Sequence, residues 1–198
     1  MSKIIATDVQ LPELLSSIRE CRLCEAHLEP RPVLRASATA RLLIVGQAPG
    51  KKVHLTGIPW NDPSGDRLRL WCNLDKKSFY DECHVAIIPA AFCYPGKGKS
   101  GDLPPPPICA DTWHGALLAQ LPNIELTLLV GQYAQKWYLG ARRKATLTDT
   151  VRCFDEYISS GFFPLPHPSP RNTLWLKRNP WFEQDVVPAL QDNLRRFE

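Results

Sequence analysis

The stretch Arg41 to Asp66, RLLIVGQAPGKKVHLTGIPWNDPSGD, decides how the rest of the chain is read. Leu42 to Val45 is a short, near-continuous apolar run, followed by Gly46 and Gly50 with Pro49 between them. An apolar run that stops at glycine and proline suits a buried strand entering a tight loop. In an open parallel sheet, ligands sit in the crevice beyond the carboxyl ends of the strands. The loop after this strand offers the backbone of Gly46, Ala48, Pro49 and Gly50, an amide at Gln47, an imidazole at His54, an indole at Trp60 and a carboxylate at Asp62. So much chemistry on one connector marks it as the candidate site.

The surrounding chain of 198 residues is long enough for one domain with a core that needs no staples. Its 44% apolar and 22% charged residues are ordinary for a globular protein, so its nineteen prolines and eleven glycines imply fixed loops instead of disorder. A net charge of +4 permits an anionic partner without demanding one. The opening MSKIIATDVQLPELLSSIRE has no long apolar core and no small-residue cleavage pattern. No segment approaches the roughly 20 apolar residues of a membrane helix. These features predict a cytoplasmic protein with no membrane partner. Seven cysteines, an odd number, argue for reduced thiols or metal ligands over a disulfide scaffold.

Helices and strands alternate along the chain. Thr7 or Asp8 is placed to cap a helix over about Leu11 to Glu20, with Leu11, Leu14, Leu15 and Ile18 on one face. Strands are predicted at Leu42 to Val45, Val85 to Ile88, Ile124 to Val130 and Phe162 to Leu165. Helices are predicted at Asp66 to Leu74 with Ser64 as cap, at Cys109 to Leu121, at Tyr133 to Leu139, and near Leu147 to Ser159. A terminal helix is predicted from Asn179, with Asn179 as cap and Pro180 in its first turn. Helices between successive strands imply right-handed crossovers. The expected fold is a three-layer α/β/α sandwich around a central, mainly parallel four-stranded sheet. It forms a single domain over residues 1–198, with the N-terminal helix and CxxC segment (about 8–30) packed on it. One long connection, AAFCYPGKGKSGDLPPPPIC, has glycines and prolines that exclude regular structure, and its length asks for a functional reason.

Cys21 and Cys24 put two thiols on one tight turn, while Cys93 and Cys109 flank that connection. Two close ligands and two distant ones can close a four-thiolate shell around either zinc or a cubane cluster. A metal joining the ends of the connection would offset the entropy of ordering it. Cys72, Cys83 and Cys153 read as core residues.

GQAPG at 46–50, HPSP at 167–170 and the four cysteines, in this order, resemble the uracil-DNA glycosylase superfamily, most closely its iron–sulfur-containing branches. The resemblance spans about residues 15 to 192. It implies a DNA glycosylase with a structural [4Fe–4S] cluster on Cys21, Cys24, Cys93 and Cys109, zinc being the alternative occupant. Gly57-Ile-Pro-Trp60 matches the family's Gly-x-Pro-Phe segment, with Trp60 where an aromatic stacks on the base, and Asn172 matches an asparagine carried by some branches. Four positions depart from the family pattern. Gln47 stands where the iron–sulfur branch has an acidic residue, Val53 and His54 where it has two more, and Pro89 where an asparagine reads uracil.

Base excision requires a nucleotide to leave the stack and enter a pocket. His167 and the backbone near Gln47 and Ala48 are candidates to stabilise charge on the departing base. Asp62 is a candidate to activate water or stabilise the sugar cation, or equally to cap the following helix, and His54 is another candidate base or nucleophile. Gln47 can orient a water or bind a base edge, but its amide has no useful basicity. Ser169, Arg171, Lys177, Lys97 and Lys99 are candidates for phosphate contacts, with Trp175 as a wedge or stacking residue. No GxGxxG fingerprint is present, so no nicotinamide or flavin cofactor is expected. The expected protein is a monomer acting on DNA, single- or double-stranded with a flipped base. Two alternatives stay open: an altered or inactive member that binds nucleic acid or a nucleobase, and a hydrolase of small nucleosides.

Overall fold

A computed structural model describes residues 10–197. Helix α1 (Leu11–Arg19) buries Leu11, Leu14, Leu15 and Ile18, the face its apolar spacing dictates. Gln10 is its N-terminal flanking residue; Thr7 and Asp8 lie outside the described residues. Strand β1 (Leu42–Val45) follows, then α2 (Lys51–Thr56), α3 (Pro63–Cys72), α4 (Lys76–Phe79) and β2 (Val85–Ile87). A small hairpin, β3 (Lys97–Gly98) and β4 (Gly101–Asp102), precedes α5 (Pro107–Ala119). Next come β5 (Leu126–Val130), α6 (Gln132–Leu139), α7 (Leu147–Arg152), α8 (Asp155–Ile158) and β6 (Phe162–Leu165). Helix α9 (Thr173–Arg178) and a π turn (Phe182–Val186) lead into α10 (Val187–Leu194).

The main sheet has the order β2-β1-β5-β6, with every neighbour parallel. Leu42 lies opposite both Val85 and Leu126, and Leu128 opposite Phe163. Strand alternation divides the core in two. Leu43, Val45, Ala86 and Leu129 pack with α1, α5 and α6 on one face. Leu42, Ile44, Ile87, Leu128, Phe163 and Leu165 pack with Leu68 and Trp71 of α3, and with Phe182 and Leu190, on the other. A sheet covered on both faces has no solvent side, so β1 and β5 are apolar at nearly every position. Each fully buried leucine or isoleucine contributes about 1.5–3 kcal/mol by leaving water. These layers are the predicted α/β/α sandwich.

Several local expectations are corrected. The stretch after β1 contains α2 instead of a plain loop, and α3 is capped by Asp62, not Ser64: Asp62 Oδ1 accepts the Gly65 N–H at 2.8 Å. The proline-rich connection does hold regular structure, the β3–β4 hairpin, because Gly98 and Gly101 allow a tight antiparallel turn. The segment from Leu147 is two short helices broken at Cys153 and Phe154, not one. Asn179 ends α9 and does not cap a terminal helix; its side chain donates back to the Trp175 carbonyl at 2.8 Å. Among the remaining cysteines, Cys72 is buried as expected, but Cys83 is exposed and Cys153 half-buried.

Candidate active site

The strand order reverses between β1 and β5, where one chain connection runs to the β2 side and the next to the β6 side. At such a switch point the loops leave in opposite directions and open a crevice at the carboxyl ends of the strands. A cleft of about 440 Å³ lies there, lined by Gly46, Gln47, Ala48, Pro49 and Gly50 after β1, Pro89 after β2, and His167 and Ser169 after β6. Trp60, Asp62, Ser64, Asp102, Arg171 and Asn172 complete its walls. The Gly46 and Gln47 carbonyls accept the Ala90 and Ala91 N–H groups at 2.9 and 3.1 Å, which pins the first loop to the second. Among the described residues, no backbone carbonyl accepts the N–H of Gln47 or Ala48.

His167 is the most constrained group in the cleft. The Ser169 N–H donates to its Nδ1 at 3.2 Å, so the proton of the neutral ring sits on Nε2. The ring keeps an opening to the cleft but is set deeply enough that lost hydration pushes its pKa below the usual value, with Asp62 and Asp102 pulling partly back. The loop that carries it is held from three sides. Asn172 Nδ2 donates to the His167 carbonyl at 2.8 Å, Arg67 donates to the Ser169 carbonyl at 3.1 Å, and Ser169 Oγ accepts the Arg171 N–H at 3.3 Å. Asn172 therefore fastens its own loop while lining the cleft.

Trp60 stands with its ring 5.7 Å from that of His167, tilted by 37°. Its backbone has φ 55°, a left-handed conformation that a bulky residue adopts only under constraint. The constraint comes from α3. Gly65 touches the Trp60 carbonyl so closely that no side chain fits between them. The buried Arg69 donates to that same carbonyl at 3.3 Å. Arg69 is neutralised by Asp66 at 2.5 Å and lies over the rings of Phe79 and Tyr80. Tyr80 in turn donates to the Pro59 carbonyl at 2.8 Å.

Gln47, Ala48, Trp60, Asp62, His167, Ser169, Asn172 and Arg171 thus meet around one cavity. His54 does not join them: it is buried on α2, 3.3 Å from Glu29 and 5.9 Å from the Tyr94 ring, and is absent from the cleft walls. Lys97 and Lys99 are exposed on the hairpin and Lys177 on α9, none of them lining the cleft. Trp175 is no wedge; its Nε1–H donates to Thr148 at 2.9 Å and its ring packs on Trp181 and Phe182. Sequence reasoning missed Asp102, Arg67 and Arg69. Asp102 belongs to a stretch with no periodicity, and the two arginines have no local motif; only the tertiary fold reveals them.

Cys21, Cys24, Cys93 and Cys109 line one small apolar cavity of about 20 Å³ with Pro30, Pro32 and Phe92. Burial pushes the Cys93 and Cys109 thiols up to about 11 and about 12, with the other cysteines adding to the rise and Arg22 pulling Cys93 partly back. The Phe92 N–H is directed at Cys109 Sγ at 3.4 Å. No group of three or more His, Cys, Asp or Glu side chains among the described residues is arranged to hold a single metal ion. Four thiols facing one cavity are the donor set that either zinc or an iron–sulfur cluster uses.

Against known protein families, residues 35–191 match the model described as the uracil DNA glycosylase superfamily.

Proposed function

The chain belongs to the uracil-DNA glycosylase superfamily, and from that premise we propose that it hydrolyses the N-glycosidic bond of a damaged or deaminated base flipped out of DNA. The observation that carries this reading is the convergence of Trp60, Asp62 and a neutral, tautomer-fixed His167 on one cleft. The flipped base enters with the Trp60 indole as one wall, a contact worth about 1–3 kcal/mol. As the C1′–N bond breaks, its electron pair leaves with the base and negative charge collects on a base carbonyl oxygen. The His167 Nε2–H, with the N–H groups of Gln47 and Ala48, is suited to donate to that oxygen. Asp62 has one oxygen engaged with Gly65 and the other turned toward Gly50, where a carboxylate stabilises the oxocarbenium-like sugar. Gln47 offers an amide for a base edge, not a proton acceptor. Ser169, Arg171, Lys177, Lys97 and Lys99 serve as phosphate contacts around the rim.

The four cysteines are the proposed ligands of a [4Fe–4S] cluster, which when bound supplies a structural anchor and no bond-breaking chemistry.

Excision is tested on oligonucleotides carrying uracil, hypoxanthine, xanthine or alkylated bases, read as alkali-labile sites. His167→Ala is expected to lower the single-turnover rate about 10²–10³-fold, the effect of removing one preorganised donor. Because burial lowers the His167 pKa, the neutral ring with its Nε2 proton is the form present at neutral pH; acidification protonates Nδ1 and ends its acceptance from the Ser169 N–H, while Nε2 still donates. A rate unaffected by His167→Ala rejects its donor role. Pro89 on the cleft wall and the non-basic Gln47 favour a second reading, a nucleobase binder without hydrolysis; tight binding of the same oligonucleotides with no cleavage supports that one.

A further inference from the structure

The cleft contains a carboxylate that no motif announces. Asp102 ends β4, in the middle of the cysteine-flanked connection, and the hairpin brings it to the wall of the cleft. Its Oδ1 accepts the Tyr94 hydroxyl at 3.2 Å, which orients the group, and among the described residues no hydrogen bond engages Oδ2. That Oδ2 faces Gly50: a β-carbon placed on Gly50 would lie 3.7 Å from it, and 4.0 Å from Asp62 Oδ2. Two carboxylate oxygens from distant parts of the chain therefore look onto the same point. The hairpin is latched there by Arg171, whose Nη1 donates to the Ser100 carbonyl at 2.9 Å. Arg171 also occupies the space where any side chain at Gly101 would stand, and Gly101 has φ 147°, so the latch depends on glycine.

The neighbouring groups are poor water activators. Gln47 is an amide, and His167 holds its proton on Nε2 while Nδ1 is engaged by Ser169. Asp62 is half-buried with one oxygen committed to Gly65, whereas Asp102 is exposed and so open to water.

We propose that Asp102 is the carboxylate that takes the proton from the attacking water, an assignment that rests on the glycosidase reading above. In that step the C1′–N bond breaks with its electrons on the base, and the water oxygen bonds to C1′. The released proton passes to Asp102 Oδ2 and then to solvent, while the anionic base takes a proton from solvent. Asp62 and Asp102 divide the work, the first facing the sugar cation and the second the water.

Single-turnover excision by the full-length protein tests this on the best substrate of the base panel, with DNA affinity measured in parallel. Asp102→Asn is expected to slow excision by about 10²-fold or more, the usual contribution of a general base, without weakening DNA binding. Added formate is expected to restore part of the rate to Asp102→Ala, which a merely structural role does not allow. Asp102→Asn that keeps its rate within about threefold of wild type overturns the assignment. So does formate rescue of Asp62→Ala in the absence of rescue of Asp102→Ala, which moves the role to Asp62. A wild-type protein that cleaves no base of the panel rejects the hydrolytic function itself and this step with it.

Discussion

His114 illustrates how one side chain can link the acid stability of this protein to its site. It is almost fully buried, stacked on Phe92 at 5.5 Å, with Nε2 donating to the Pro89 carbonyl at 3.1 Å and Nδ1 accepting from Tyr138 at 3.2 Å. Burial holds its pKa down to about 4, against 6.5 when exposed. The unfolded chain therefore binds a proton here before the folded one does. Stability is unaffected above pH 6.5, falls as pH drops through the interval to about 4, and is lower by about 3 kcal/mol beyond it. Chemical denaturation at pH 7 and pH 4 measures this, and His114→Gln is expected to remove most of the difference. Protonation takes place at Nδ1 and ends its acceptance from Tyr138, while the Nε2–H bond that holds the Pro89 carbonyl on the cleft wall is kept. At the same scale, Trp60 was readable as an aromatic in a recognisable segment, but its strained backbone and the arginine behind it were not.

The elements divide sharply in how they were specified. Strands β1 and β5 declare themselves as apolar runs closed by glycine. The short α2 does not, since six residues beginning Lys-Lys carry no usable period. The cysteine-flanked connection is the element on which most depends, because its ends bear two of the four proposed ligands and its middle bears Asp102. If a cluster holds it, protein purified without exposure to oxygen is brown and carries about four iron atoms per chain. Cys93→Ser then loses iron and lowers Tm by at least about 5 °C, a few kcal/mol at 2–4 °C each. Colourless protein with one zinc per chain points to the alternative occupant. Loss of the anchor is also expected to unseat the β3–β4 hairpin, since among the described residues its hydrogen bond from outside the connection is the one from Arg171.

The whole molecule carries a net charge of +4, which permits an anionic partner without demanding one. The proposed DNA binding is expected to depend on where the cations stand, with Arg171 on the cleft wall and Lys97, Lys99 and Lys177 exposed beyond it. Affinity for a duplex is expected to fall with salt, with a log–log slope that drops by about 1 for each phosphate-contacting cation removed. Lys97→Ala, Lys99→Ala and Lys177→Ala, titrated at several salt concentrations, measure which of them touch phosphate. A slope unchanged in a variant excludes that residue from the interface. Strand order adds a second property of the whole: the reversal between β1 and β5 opens the crevice, so loops remote in sequence share one cavity.

The succession of the four sheet strands along the chain and the burial of the sheet on both faces were determined by the amino-acid sequence alone, and the resemblance of two motifs to one family implied that the first loop and the His167 loop share a cleft. Apolar periodicity and glycine breaks act within a few residues, so they are legible without coordinates. Only the tertiary structure decided that Asp62 caps α3, that His54 and Trp175 turn away from the cleft, and that Asp102 turns into it. Those outcomes depend on contacts such as Arg171 to Ser100 and Arg69 to Trp60. Arginine side chains can reach many carbonyls, and nothing local selects among them until the packed layers bring one within hydrogen-bonding distance.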